Sequence, residues 1–242
     1  MALQRCTAIG TILVLFQRQA SHPDKKTIAL CPYESIDAML APTTMARDTS
    51  MRNQTPRVQL LLTGNEIMSG DTVDSNSALI AKRLDELAIP VYRKVTVGDD
   101  PDLLKIELAS MAANADLVIV NGGLGPTIDD LTAEILAAVA GVQLAEHPQA
   151  VAHLETWCAA RNLKLNAANR KQAILPAGCL IVDNPIGSAV GFEMQVSDCR
   201  IICTPGVPSE LRAMMDTIVH SLAAQLQRPV ERDILRLQTF GL

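Results

Sequence analysis

The chain has 242 residues, of which 48% are apolar and only 2% aromatic, and its formal net charge is −5. This is long and apolar enough for one large domain with a sizeable core plus extensions. The acidic balance leaves no electrostatic footprint for nucleic acid or an anionic membrane, and so few aromatics provide no base-stacking platform.

The first 55 residues carry one apolar run, "AIGTILVLF" (8–16), which is too short to span a bilayer. The following "QRQASHPDKK" offers no signal-cleavage pattern. Residues 1–55 are therefore expected to be a poorly ordered extension, with Met45 and Met51 as later candidate starts.

From Val58 the pattern becomes regular. "VQLLLT" (58–63) reads as a short buried strand, and residues 75–87 as a helix with Ile80, Leu84 and Leu87 on one face and Asp74 or Ser75 as cap. "IPVYRKVTV" (89–97) alternates as a strand. Asp100 caps a helix that has Pro101 in its first turn and Leu104, Leu108 and Met111 inward. "DLVIV" (116–120) is a strand, and Thr127 to Ala140 a helix with Leu131, Ile135 and Val139 on its buried face. Strand and helix alternating at this spacing predict parallel strands with right-handed crossovers.

Beyond it, residues 148–162 and 168–175 read as helices and "CLIV" (179–182) as a strand. Residues 189–204 read as a hairpin turning at Ser197-Asp198, and "PGVPSEL" leads into a last helix near Ser209. The domain is expected over 56–227, with 228–242 opening a following, truncated domain on the lone strand pattern "DILRLQTF". Cys6, Cys31, Cys158, Cys179, Cys199 and Cys203 form no CxxC pair and do not group with His22, His147, His153 or His220. They read as reduced core thiols of a cytoplasmic protein. Cys199 and Cys203 can share a strand face, but lack the two further ligands a metal needs. His147 and His153 read as surface helix residues and Trp157 as packing.

The stretch "NGGLGPTIDD" (121–130) lies between a buried strand and a helix. In an open α/β sheet, ligands bind at the carboxyl ends of the strands. Gly122, Gly123 and Gly125 let backbone N–H groups converge there, and a helix N-terminus adds positive potential. That suits phosphate. Asp129 and Asp130 would repel phosphate alone, but fit a divalent cation such as Mg²⁺ bridging carboxylate and phosphate. The bland alternative is a Thr127–Asp130 capping box on an ordinary turn. The stretch matches neither GxGxxG nor GxxxxGK[ST].

"GGLGPTIDDLT" resembles the signature of the MoaB/Mog-type molybdopterin-binding fold, in the form found in the N-terminal domain of CinA (competence/damage-inducible protein A) proteins. "TGNEIMSGDTVDSNS" (63–77), "VTVGDD" (95–100), "NRKQAILP" (169–176), "NPIGSAVGF" (184–192) and "TPGVPSEL" (204–211) fit in the same order, covering about Val58 to Val219. The similarity is strongest to the nicotinamide-nucleotide-amidohydrolase-like branch. It implies a three-layer α/β/α fold with a mostly parallel, doubly wound sheet, and a homo-oligomer such as a dimer or trimer. It also implies a small phosphorylated ligand, nucleotide or pterin, with molybdopterin one candidate. Full-length relatives carry a further domain that deamidates nicotinamide mononucleotide; that activity is not assigned to this chain.

By the same resemblance, Asp130, Asp99 and Glu66 are the candidate catalytic residues, and Asp130 with Asp129 the candidate metal ligands. Gly64, Asn65, Ser75, Asn76, Gly122, Gly123, Gly125, Thr127, Lys171, Gly187, Ser188 and Gly206 are the candidate ligand-binding residues. Asn65 stands where the family usually has Asp, which weakens one metal- or phosphate-facing acid and leaves a turn role open. Asp100 and Ser75 also read as helix caps, and Asn169, Arg170 and Lys171 either neutralise a diphosphate or form a solvated helix face. The activity implied is metal-dependent hydrolysis of a phosphoanhydride of the ADP-ribose type. The alternatives are a non-catalytic molybdopterin-binding module and Mog-like adenylylation of molybdopterin.

Overall fold

A computed structural model describes residues 56–226. The expectations for residues 1–55 and 228–242, with Cys6 and Cys31, lie outside the described residues. Six strands form one sheet in the order β2-β1-β3-β8-β7-β6. β1 (Val58–Thr63), β2 (Val91–Val97), β3 (Leu117–Asn121) and β8 (Cys199–Thr204) run parallel, as the alternating pattern predicts. β7 (Gly191–Val196) opposes β8 and β6 (Leu180–Val182) opposes β7, so β7 alone runs backwards. Its hairpin with β8 turns at Ser197, whose φ of 51° is the left-handed conformation a two-residue turn requires.

Alternation along the strands divides two cores. Leu61, Val118, Val120, Phe192, Ile201 and Cys203 face one way, onto α3 (Pro101–Asn114), α4 (Thr132–Ala140) and α5 (Pro148–Ala159). Leu60, Leu62, Leu117, Ile119 and Ile202 face the other way, onto α2 (Asn76–Asp85) and α7 (Pro208–Leu226). The result is a three-layer α/β/α domain. Cys199 and Cys203 do share a face, and with Cys158 and Cys179 they are buried in the core. Burial pushes the Cys179 thiol up to about 11, and Cys203 higher still.

Several boundaries differ from the sequence reading. α4 begins at Thr132, not Thr127, because residues 123–131 form a loop of their own. Its inward face moves by about one residue: Ile135 and Leu136 are buried, while Leu131 and Val139 are half-buried. The 168–175 stretch divides into α6 (Ala167–Lys171) and β5 (Ile174–Pro176). β5 pairs with β4 (Leu144–Glu146) in a two-stranded ribbon that no periodicity announced. α1 (Asn65–Met68) is a single turn after β1 and was equally silent. Asp100 caps α3 as expected, its carboxylate accepting from the Leu103 N–H at 2.9 Å. Among the described residues, no helix is long and apolar enough to cross a membrane.

Candidate functional site

The parallel strands β1, β2, β3 and β8 all deliver their carboxyl ends to one edge of the sheet. A cleft of about 630 Å³ opens there. Its floor is a chain of buried amides. The Asn76 amide donates to Asn121 Oδ1 at 2.8 Å and to the Gly206 carbonyl at 2.7 Å. The Asn121 amide donates in turn to the Thr204 hydroxyl at 3.1 Å and the Pro205 carbonyl at 2.7 Å. Three loops far apart in sequence are thereby held in register by side chains. Asn121 and Thr204 were absent from the sequence candidates, although both end an apolar strand with a polar residue, the one signal that could have marked them.

The glycine loop lies against this floor. A Cβ on Gly122, at φ 111°, would fall 2.7 Å from both the carbonyl oxygen and the hydroxyl of Thr63. One on Gly123, at φ 68°, would strike the Thr132 hydroxyl. These two glycines are thus required by the loop's own packing, before any ligand is considered. The N–H groups of Gly123, Leu124 and Gly125 donate to no acceptor among the described residues, leaving three consecutive donors on the cleft wall. The Thr63 hydroxyl and Asn76 Oδ1, from two residues that line the cleft, are buried and also lack a partner.

Gly64, Glu66, Ser75, Asn76, Asp99, Gly122, Gly123, Gly125, Thr127, Asp129, Asp130, Ser188 and Gly206 line the cleft. Asn65, Gly187 and Lys171 do not. Asn65 accepts from the Asp99 N–H through Oδ1 and donates its own N–H to Asp99 Oδ2, both at 3.1 Å, so it sets the pose of Asp99. Gly187 is buried in a brace in which its N–H meets Asn184 Oδ1 and its carbonyl meets His153 Nε2. His153 and Trp157 are therefore bound to the 184–189 loop rather than merely solvated or packed, since the indole N–H donates to the Ile186 carbonyl at 3.1 Å. The Lys171 ammonium is spent on the carbonyls of Thr127 and Asp130, at 2.5 and 3.0 Å. Arg170 is paired with Glu146 at 2.5 Å, and Asn169 and Ser209 also lie off the cleft. The Thr127–Asp130 pair forms within the loop: the N–H and hydroxyl of Thr127 both donate to Asp130 Oδ2, at 2.8 and 2.5 Å.

The family model described as "Probable molybdopterin binding domain" matches residues 59–225. A CinA-like protein of Colwellia psychrerythraea is 53% identical over 188 residues, 77% of this chain and 44% of the relative. One from Citrifermentans bemidjiense is 40% identical over 187 residues, 77% of this chain and 45% of the relative. The crystal structure of the CinA protein, of unknown function, from Thermoplasma acidophilum superposes with a TM-score of 0.64 at 32% identity. That match covers 69% of this chain and 98% of that one. The chain belongs to the molybdopterin-binding-domain family, with the fold of the CinA N-terminal domain. It spans less than half the length of these two curated relatives.

The electrostatics of this CinA-type cleft are one-sided. Glu66, Asp74, Asp99, Asp129, Asp130 and Glu210 line it, and no Lys, Arg or His does among the described residues. Two of these acids are answered from outside. Asp74 is paired with Lys94 at 3.1 Å and bonded by Ser77. Against the burial that raises it, the hydroxyl and N–H of Ser77 and the Lys94 ammonium hold its carboxyl below the usual range. Glu210 accepts from the Asn184 amide at 2.8 Å. Asp99 is pushed up, first by burial. The Asn65 N–H pulls it partly back, and the like charges of Glu66, Asp129 and Asp130 push it further.

Glu66, Asp129 and Asp130 thus lie near enough to Asp99 for their charge to act on its carboxyl. Among the described residues no three His, Cys, Asp or Glu side chains form a ready-made metal cage.

Proposed function

We propose that this CinA-type domain binds a phosphate-bearing nucleotide or pterin with a divalent cation and hydrolyses a phosphoanhydride, ADP-ribose being the substrate class it fits. The supporting observation is the pairing of free backbone donors with an acid-rich, base-free cleft. The N–H groups of Gly123, Leu124 and Gly125 and the Thr63 hydroxyl offer donors to phosphate oxygens. No cationic side chain on the described walls offsets the acids, so a phosphate enters only with its own counter-charge.

Asp99 and Asp130 would hold the cation, with Asp129 and Glu66 adjoining. When bound, it would neutralise phosphate charge and polarise the phosphorus centre. Asn65 fixes the Asp99 carboxylate in place, and Thr127 and Lys171 fix the loop that carries Asp130. The loop donors are set to meet charge developing on the phosphate oxygens without reorganising. An ionised acid of the cluster that does not hold the cation can accept a proton from the attacking water.

The test is incubation of the purified chain with ADP-ribose and Mg²⁺, with chromatography for AMP and ribose 5-phosphate. Cation-dependent release of both is expected. Calorimetric binding without products would make the domain a binding module. Neither binding nor products would overturn the reading.

A further inference from the structure

A second, smaller cleft of about 200 Å³ lies on the far side of the glycine loop. Gly123, Leu124, Gly125, Asp130 and Gln172 line both spaces, so the loop is a thin wall between them. The larger cleft is within the range of about 300–1,000 Å³ usual for a whole small ligand, and the smaller one is below it. The smaller is an annex that takes part of a ligand.

Its walls say which part. Leu175 and Val190 are buried there, and Leu144 and Ile174 are left 37% and 39% exposed by the β4–β5 ribbon. Lys171 also reaches it, but its ammonium already serves two loop carbonyls, so the annex is not a second anion site. Glu134 stands exposed at its rim and the loop N–H groups of residues 123–125 border it, but the buried side-chain atom in need of a partner on its wall is the Gln172 amide oxygen. The residue is 8% exposed, its Nε2 hangs from the Leu124 carbonyl at 3.3 Å, and its Oε1 has no partner. A single long bond leaves that amide free to turn its edge toward a guest.

We infer that the annex receives a planar heterocycle with an N–H edge, recognised by Gln172, while the phosphates of the same ligand lie in the main cleft. The phosphate half rests on the function proposed above. Apolar walls on both sides suit a ring face, and an amide can accept from a ring amine while donating to a neighbouring ring nitrogen. Glycine at positions 123 and 125 adds no side chain of its own to the lip, which is bordered by Leu124, the Asp130 carboxylate and Gln172. An adenine and a pterin share this chemistry.

The experiment is calorimetry on the full chain with Mg²⁺, using pyrophosphate, ADP, adenosine and 6-hydroxymethylpterin as probes. ADP should bind about tenfold or more tightly than pyrophosphate through burial of its ring. Leu144→Trp fills the annex from a partly exposed position. It should bring ADP to within about twofold of pyrophosphate and leave pyrophosphate itself unchanged. Gln172→Met should lose part of the same gain. Adenosine and the pterin, compared alone, decide which ring is preferred. An ADP-to-pyrophosphate ratio near one in the parent, or one that Leu144→Trp leaves unchanged, overturns the annex. If pyrophosphate fails to bind but a free ring binds and is lost in Leu144→Trp, the phosphate reading falls and the annex stands.

Discussion

Asp99 and Asp130 show how one carboxylate can be disfavoured by its surroundings and another spent on local structure. The Asp99 carboxyl is raised in the folded chain, so its contribution to stability is fully present below its unfolded pKa. That contribution is lost as pH rises through the folded value. Asp99→Asn should therefore melt at a higher temperature than the parent at pH 7 without divalent cation, and the gap should close toward acid pH. The same variant should lose most of the thermal shift that Mg²⁺ gives the parent. A lower melting temperature at pH 7 would mean that the surrounding acids do not repel Asp99 as described. Asp130 is bonded twice by Thr127, so Asp130→Asn should cost about 1 kcal/mol in a denaturant titration. It should also abolish release of AMP while nucleotide binding persists. Full turnover with reduced stability would leave Asp130 a loop brace only. The meeting of these acids at one edge was legible in sequence because each follows a strand end or a glycine turn, and so was the Thr127–Asp130 pair that forms within the loop. Lys171, Arg170 and Gly187 misled because charge and glycine are equally useful for tying loops, and only the folded loop shows Lys171 committed to carbonyls.

At the scale of elements, the glycine loop and the helix after it are one unit. Thr132 opens α4, yet its hydroxyl donates to the Gly122 carbonyl at 2.7 Å and its N–H to the Gly123 carbonyl at 3.2 Å. The first turn of α4 is thus anchored to the loop it follows. Gly123→Ala should be costly for the fold itself, by more than about 1 kcal/mol, because a Cβ meets that hydroxyl and φ is positive. Gly206→Ala should leave stability within about 0.5 kcal/mol, its Cβ meeting only the Gly122 Cα at 3.4 Å. Chemical denaturation of the two variants checks the contrast, and equal losses would refute it. The strands and long helices of the sheet were readable from period alone, since each buries a continuous apolar face. The start of α4, the turn α1 and the ribbon β4–β5 were not. Their positions are set by hydrogen bonds to distant carbonyls and by three-residue pairings too short to show a period.

At the scale of the whole described domain, two hydrophobic layers support one sheet, and the candidate site lies on the loops at its carboxyl edge. What joins those loops is the amide chain from Asn76 through Asn121 to Thr204, not backbone pairing. A double-mutant cycle should show it. Asn121→Ala and Asn76→Ala should each destabilise by about 1–3 kcal/mol, and together by clearly less than their sum, with a coupling of at least about 0.5 kcal/mol. Strict additivity would mean that the loops hold their places independently. If the coupling is found, Asn121 is the hub of the edge. A ligand that settles on the glycine loop would press on the helix carrying Asn76 and on the Pro205–Gly206 turn through a single side chain. The surface loops could then drift in sequence between relatives while the spacing of the cleft stayed constant, because its ruler is an asparagine beneath them.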